Sequence, residues 1–255
     1  MHTKRILIVT LLVLGELLVA DSTRGAGPVQ TAHKFNKEGN PPLDYLVYLP
    51  PEYEHKAGWP LILFLHGAGE KGNDIERVKD DGLPEMLEKG KTLPFVVVSP
   101  QCRPDSSWNS QLKVLSALLD EIAAKYKVDQ DRIYLTGLSM GGFGTWALAA
   151  SAPDRFAAII PICGGGDPDA VERLKHVPIW AFHGAKDDVV PIARTQALVD
   201  ALTKAHGNVK FTVYPELRHD SWTVTYGNPE VYKWLLEHKR VPREKKDGAS
   251  PEPAR

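Results

Sequence analysis

The stretch from Ile133 to Trp146 limits what this chain can fold into more than any other. It begins with an apolar, β-branched and aromatic run that predicts a buried strand, and it ends in Ala, Leu and Trp residues that predict a helix. Between them stands a Gly-x-Ser-x-Gly pattern centred on Ser139. A serine at so tight a turn needs neighbours without side chains, and Gly137 and Gly141 meet that need. The helix would start at about Met140, so its free N–H groups would point towards an anion formed at the serine. The pattern predicts a nucleophile elbow; the alternative is a glycine-rich turn carrying an ordinary exposed serine.

Strands and helices alternate along the rest of the chain, and the central strands are apolar throughout. Runs of this kind predict an α/β fold with a mainly parallel sheet and helices on both faces. In such sheets, ligands bind beyond the carboxyl ends of the strands. The predicted strands are Leu43–Leu49, Leu61–Leu65, Phe95–Ser99, Ile133–Thr136, Phe156–Ile162, Ile179–Phe182 and Val209–Tyr214. The predicted helices are Ser110–Tyr126, Phe143–Ala150, Ile192–Lys204 and Pro229–His238.

The two ends of the chain are predicted to lie outside the folded domain. Residues 1–20 combine basic Lys4 and Arg5 with an apolar run, which indicates a secretory signal peptide and a secreted or periplasmic protein. An uncleaved N-terminal anchor is the alternative. Residues 21–42 are predicted to be a lead-in with a possible first edge strand, residues 43–239 the catalytic domain, and residues 240–255 a disordered tail.

The composition excludes several classes of partner. The formal net charge is −1, with 31 basic and 32 acidic residues, so nucleic acid is not an expected partner. No phosphate loop, dinucleotide-binding glycine motif or zinc-type Cys/His spacing occurs, and we expect neither a cofactor nor a metal. No stable membrane insertion is expected after removal of the leader. The sequence assigns no oligomeric state.

A serine becomes a strong nucleophile only beside a base, which in turn needs an orienting acid. His219, in a polar loop between the last strand and the last helix, is the predicted base, and a surface histidine is the alternative. Asp187 follows a strand and is the predicted acid, with its neighbour Asp188 and the strand-end residue Asp167 as alternatives. The chain order of Ser139, Asp187 and His219 is that of α/β-hydrolases. By contrast, His66 and His183 stand before glycines at strand ends, where we expect them to shape turns.

Several segments together resemble the α/β-hydrolase superfamily, and in particular a secreted carboxylesterase group similar to the prolyl oligopeptidase and dienelactone hydrolase families. The resemblance implies an α/β-hydrolase fold with about eight strands. In relatives, the pattern His-Gly-x-x-Asp-x-x-Val-Pro carries the acid at its first Asp, which is why Asp187 is preferred to Asp188. Relatives often have glycine before the catalytic histidine, where this chain has Arg218. The matching segments are residues 65–74, 99–102, 137–146, 161–168, 180–191 and 219–222.

The resemblance also implies an oxyanion hole, a pair of N–H groups that bind the charge formed on an attacked carbonyl. One donor would be Met140, and the other Ala68, with Gly69 as second choice. Glu70 and Trp222 are expected to line the substrate pocket. The alternatives are a salt bridge within the loop for Glu70 and a packed aromatic for Trp222.

The two cysteines, Cys102 and Cys163, each follow a predicted strand. In the usual strand order of this fold, two strands separate them, which corresponds to roughly 14 Å and is too far for a disulfide. We therefore expect two free, partly buried thiols.

Together these features predict a serine esterase that acts through an acyl-enzyme on a small-molecule or polysaccharide-linked ester. Feruloyl, acetyl, short aliphatic and lactone substrates all remain open. A serine peptidase of the prolyl oligopeptidase type is the alternative within enzymes, and a binding protein that keeps the fold without its chemistry is the alternative outside them.

Overall fold

A computed structural model describes residues 30–240, and the predicted leader of residues 1–20 lies outside them. Eight strands form one sheet in the order β1-β2-β4-β3-β5-β6-β7-β8. β1 and β2 pair with each other, and β2 with β4, in antiparallel fashion; the remaining strands are parallel. The strands are β1 (Thr31–Phe35), β2 (Leu43–Tyr48), β3 (Trp59–Leu65), β4 (Val96–Pro100), β5 (Val128–Leu138), β6 (Ala158–Ile162), β7 (Ile179–Gly184) and β8 (Val209–Tyr214).

Seven α-helices pack on the two faces of this sheet within the described residues. They are α1 (Gly82–Glu88), α2 (Leu112–Lys125), α3 (Met140–Ser151), α4 (Pro168–Val171), α5 (Ala193–Lys204), α6 (Trp222–Gly227) and α7 (Pro229–Glu237). The apolar side chains of α2 to α5 join one core cluster, and those of α1, α6 and α7 join a second. The predicted fold, a mainly parallel sheet of eight strands covered on both faces, is confirmed.

Strand β3 shows how one apolar run serves both cores. Leu61, Leu63 and Leu65 belong to the first cluster, and Ile62 and Phe64 to the second. Successive side chains of a strand point to opposite faces, so a strand between two helical layers must be apolar at every position. Its carboxyl end then leads into the polar loop that begins at residue 66.

The structure adds elements that the sequence pattern did not predict. A 3₁₀ helix (Ile75–Asp80) and α1 lie in the segment 69–92, and α6 precedes the last predicted helix. The predicted edge strand within residues 21–42 corresponds to β1. Arg240, the first residue of the predicted tail, donates its backbone N–H to the carbonyl of Asp131, so it is packed on the domain. No helix of residues 30–240 has the length and apolar character needed to cross a bilayer.

Candidate active site

Ser139 lies between the end of β5 and the start of α3 with φ 52° and ψ −116°, a conformation that costs energy for a residue with a side chain. A Cβ added to Gly137 would lie 2.4 Å from the carbonyl oxygen of Gly141. One added to Gly141 would lie 1.8 Å from the carbonyl oxygen of Leu65. The two glycines of the motif are therefore required sterically, and the strand–turn–helix context predicted from the sequence is present.

A chain of hydrogen bonds runs from this serine to a buried carboxylate. Ser139 Oγ lies 2.9 Å from His219 Nε2, and His219 Nδ1 lies 2.8 Å from Asp187 Oδ2. The carboxylate side chain is 0% exposed, whereas the imidazole is 19% exposed and can reach a bound substrate. The neutral imidazole with its proton on Nδ1 fits both contacts, since Nε2 is then free to accept the serine proton.

Backbone and side-chain donors hold Asp187 in its ionised form. Burial alone would raise the pKa of Asp187, but the hydrogen bond from His219 and those from the N–H groups of Val190 and Val189 outweigh it. The pKa of Asp187 ends below its usual value. His183 Nε2 lies 3.1 Å from Asp187 Oδ2 and 2.8 Å from the carbonyl oxygen of Val190. Burial lowers the pKa of His183, so this histidine, which sequence reasoning assigned only to a turn, packs as a neutral group against the acid.

Asp188 and Asp167, the alternative acids, are both exposed and bond to groups other than His219. Asp188 is exposed and forms an ion pair with Arg218, the residue that stands where relatives have glycine. Asp167 is exposed at the start of α4, where its side chain accepts the N–H of Asp169. Of the three acids weighed from the sequence, only Asp187 contacts His219.

The loop after β3 is anchored through its carbonyl groups. The carbonyl of Gly67 accepts from His66 Nδ1 at 2.6 Å, that of Gly69 from Arg77 at 2.6 Å, and that of Glu70 from Gln101 at 2.9 Å. Within the described part of the chain, the N–H groups of Ala68 and Met140 have no hydrogen-bond acceptor. Both groups therefore remain able to donate to an oxyanion.

Glu70 and Trp222 each contact a histidine in or beside the site. Glu70 Oε2 is 3.7 Å from His66 Nδ1. Burial raises the pKa of Glu70 and lowers that of His66 to about 4, so a salt bridge between them is not formed at neutral pH. The Trp222 indole donates to Asp81 at 2.7 Å, and its ring stands edge-on to His219 with centroids 5.3 Å apart.

Both cysteines are free and completely buried, which corrects the expectation of partial burial. β3 and β5 separate their strands in the sheet, as the strand-order argument required. Cys163 accepts from the backbone N–H of Ser139 at 3.3 Å. Among residues 30–240, Cys163, Asp187 and His219 carry potential metal ligands within 4.8 Å of one another. Two of these groups already bond to each other and burial keeps the Cys163 thiol protonated, so we assign the trio to the serine's surroundings.

A depression of about 360 Å³ opens at the serine. Its walls are Ser107 and Asn109 from the loop after β4, together with Met140 and Phe143 from the first turn of α3. Sequence reasoning identified only Met140 among these four, because the others carry no motif. Phe143 lies four residues after the serine, about one helical turn along α3. Helical spacing could therefore have identified it as a residue beside the serine.

Comparison with known proteins assigns the chain to a protein family. The sequence pattern of the dienelactone hydrolase family matches residues 103–231, just over half of the 255 residues. The chain belongs to the dienelactone hydrolase family. The family resemblance expected from the sequence is thereby confirmed, and the matched range contains the elbow, Asp187 and His219.

This dienelactone hydrolase family protein is similar to several esterases. A crystal structure of a thermostable esterase shares 34% identity and a TM-score of 0.72, over 83% of this chain and 63% of that one. The bifunctional acetylxylan esterase/xylanase XynS20E of Neocallimastix patriciarum is 29% identical over 63% of this chain, which spans 24% of that protein. A probable feruloyl esterase C of Aspergillus terreus is 25% identical over 72% of this chain and 70% of its own length.

Proposed function

We propose that this family member is a serine esterase that hydrolyses carboxylic esters through an acyl-enzyme. The observation that carries the proposal is the unbroken hydrogen-bond chain from Ser139 through His219 to the buried Asp187, built on a strained elbow. The esterases among its relatives support the same chemistry. Residues 43–239 would form the catalytic domain.

In this mechanism, Ser139 Oγ attacks the ester carbonyl while His219 Nε2 takes the serine proton. The N–H groups of Met140 and Ala68 bind the oxyanion of the tetrahedral intermediate. His219 then donates the proton to the leaving alcohol, and Asp187 holds the imidazole and stabilises its charged form. Water, deprotonated by His219, attacks the acyl-enzyme carbonyl; the bond to Ser139 Oγ then breaks, His219 returns the proton to Oγ, and the acid is released.

The substrate class follows from the relatives and is a proposal in itself. The acetylxylan and feruloyl esterases among them support an ester on a plant polysaccharide or a small-molecule ester. Lys4, Arg5 and the apolar run after them support export of the chain by a signal peptide. N-terminal sequencing of the protein made by its host would test removal of the signal peptide; a full-length N-terminus on a membrane-bound protein would contradict its removal and favour the uncleaved anchor.

The decisive experiment compares wild type, Ser139→Ala and Ser116→Ala on a p-nitrophenyl ester series and on matched p-nitroanilides. Ser116 lies on α2, where its hydroxyl bonds to Leu112 of its own helix, so it serves as the control serine. We expect Ser139→Ala to lower kcat by about a thousandfold or more while the thermal unfolding transition is retained. Turnover by Ser139→Ala at the wild-type rate would contradict the proposal, and cleavage of anilides in preference to esters would favour a peptidase.

A further inference from the structure

His183 is a buried histidine that takes no part in the proton transfers of the proposed mechanism. It lies near the end of β7, and its side chain is 0% exposed. Both of its ring nitrogens have partners. Nε2 lies 2.8 Å from the carbonyl oxygen of Val190 and 3.1 Å from Asp187 Oδ2, and Nδ1 lies 2.7 Å from Thr195 Oγ1. A buried ring held at both nitrogens keeps one orientation, so it can hold in place the groups that it contacts.

The partners of Nε2 determine which ring nitrogen of His183 carries the proton. A carbonyl oxygen and an ionised carboxylate can only accept, so Nε2 is the donor in the neutral ring. Nδ1 then accepts, and the Thr195 hydroxyl is the donor that it faces. His219 Nδ1 lies 2.8 Å from the same carboxylate oxygen, Asp187 Oδ2. The N–H groups of two histidines therefore converge on one oxygen of the catalytic acid.

The two oxygens of Asp187 are held in different ways. Oδ1 accepts from the backbone N–H groups of Val189 and Val190, each at 2.9 Å. Among residues 30–240, the side chains within hydrogen-bond distance of Oδ2 are those of His219 and His183. His219 is the residue that the acid must orient, and it gains and loses a proton in every turnover. The fixed partner of Oδ2 is therefore His183.

The other side of the His183 ring is tied to the helix that carries the nucleophile. The hydroxyl of Thr195, on α5, lies 2.8 Å from the carbonyl oxygen of Gly164. Gly164 packs directly on the first turn of α3, since a Cβ added to it would lie 2.5 Å from the carbonyl carbon of Gly142. His183 thus connects the acid, through one threonine, to the backbone beside Ser139.

We propose, on the basis of the esterase function above, that His183 is a positioning residue, whose Nε2–H holds Asp187 Oδ2 against His219 throughout the reaction. It contacts neither the serine nor the base and acts only through Asp187. Loss of this N–H lowers kcat, because proton transfer by His219 requires an oriented imidazole. KM stays nearly unchanged, because a fully buried ring contacts no substrate.

The first test compares two amides at position 183. The amide nitrogen of Gln reaches as far from the backbone as Nε2 of histidine, and that of Asn only as far as Nδ1. His183→Gln therefore keeps a donor towards Asp187, whereas His183→Asn keeps only the contact with Thr195. We expect kcat on p-nitrophenyl acetate to stay within about threefold of wild type in His183→Gln and to fall by about tenfold or more in His183→Asn. KM should change by less than about twofold in both.

The second test approaches the ring from its other nitrogen. Thr195→Val has nearly the same shape as the native side chain but removes the hydroxyl that faces Nδ1, and should lower kcat by about threefold. Thr203→Val is the matched control on the same helix, because the Thr203 hydroxyl bonds only to Val199 of its own helix, and it should keep the wild-type kcat.

The third test is a double-mutant cycle with the acid. If His183 acts through Asp187, His183→Asn should change kcat by less than about twofold in a protein that already carries Asp187→Asn. A general loss of packing would instead lower kcat by the same factor in both backgrounds. Circular dichroism and urea unfolding of each variant show that the rates compared are those of folded protein.

Three results would overturn the proposal while leaving the esterase function intact. They are equal kcat values for His183→Gln and His183→Asn, multiplicative losses in the double-mutant cycle, and a change in KM rather than in kcat. Should His183→Asn fail to fold, the threonine pair decides, and equal kcat values for Thr195→Val and Thr203→Val then overturn it. If folded wild type cleaves no ester at all, the proposed function fails, and the role of His183 fails with it.

Discussion

Asp187 and Asp188 are neighbours in sequence but differ in their burial and in their hydrogen-bond partners. Asp187 is buried, accepts two backbone N–H groups and bonds His219, whereas Asp188 is exposed and pairs with Arg218. The pair therefore offers an internal control for the role of the acid.

We predict that Asp187→Asn lowers kcat/KM on esters by about a thousandfold or more, because an amide cannot stabilise the charged imidazole and favours the wrong tautomer. Asp188→Asn removes only an exposed ion pair and should change kcat/KM by less than about twofold. Steady-state kinetics of both variants on p-nitrophenyl acetate would measure this. Equal losses in the two variants would contradict the assignment of Asp187.

The sequence predicted the elbow because its constraint is local: one turn of backbone demands Gly137 and Gly141 around the serine. It ranked Asp187 above Asp188 only through a family resemblance. The physical reason for the choice, the Asp188–Arg218 pair, joins two loops that are 30 residues apart. Contacts of that kind leave no pattern in a single sequence. The same holds for Asn109 and Phe143, whose place in the pocket depends on how the loop after β4 meets α3.

At the level of elements, β7 positions the loop that carries His219. Gly184 ends this strand, and a Cβ added to it would lie 2.1 Å from the carbonyl oxygen of Arg218. The backbone of the histidine loop therefore crosses directly over the strand, and no side chain fits between them.

We predict that Gly184→Ala displaces this loop and lowers kcat/KM by about a hundredfold, since displacements near 1 Å in a catalytic group cost that much. Gly227→Ala is the control, because a Cβ there meets nothing within 4 Å. Ester hydrolysis and circular dichroism of both variants would check this. Full activity of a folded Gly184→Ala would show that the loop accommodates the methyl group without moving His219.

Helix α1 shows why other elements escaped prediction. It starts at Gly82 and contains Pro84, two residues with poor helix propensity. It forms because Leu83 and Leu87 bury themselves in the second core, which is a tertiary effect. Strands such as β3 were predictable because burial on both faces requires a continuous run of apolar residues, which is visible in the sequence.

For the molecule as a whole, buried neutral histidines make the free energy of unfolding depend on pH. His66 is 1% exposed, accepts the N–H of Cys102 and donates to the carbonyl of Gly67. Burial lowers its pKa from 6.5 to about 4. Between these two pH values the unfolded chain binds the proton and the folded chain does not, so acid favours unfolding in this window.

We predict that His66 contributes a loss of about 3 kcal/mol of unfolding free energy between pH 7 and pH 4, at about 1.4 kcal/mol for each pKa unit. His66→Gln should be less stable than wild type at pH 7 and lose less stability over the same window. Urea unfolding of both proteins at several pH values would measure the difference. Parallel pH profiles would mean that His66 titrates in the folded state as it does in the unfolded chain.

The complete burial of Cys102 and Cys163 has a practical consequence. Burial raises the pKa of these thiols to about 11 and about 12, so neither presents a thiolate to reagents in solution. They are the only two cysteines in the sequence. A single cysteine introduced on the surface, for example by Ser107→Cys at the edge of the depression beside Ser139, would therefore react alone with a maleimide dye. The native protein therefore behaves towards thiol reagents as if it had no cysteine. A fluorescent reporter of substrate entry could be attached without removing either native thiol.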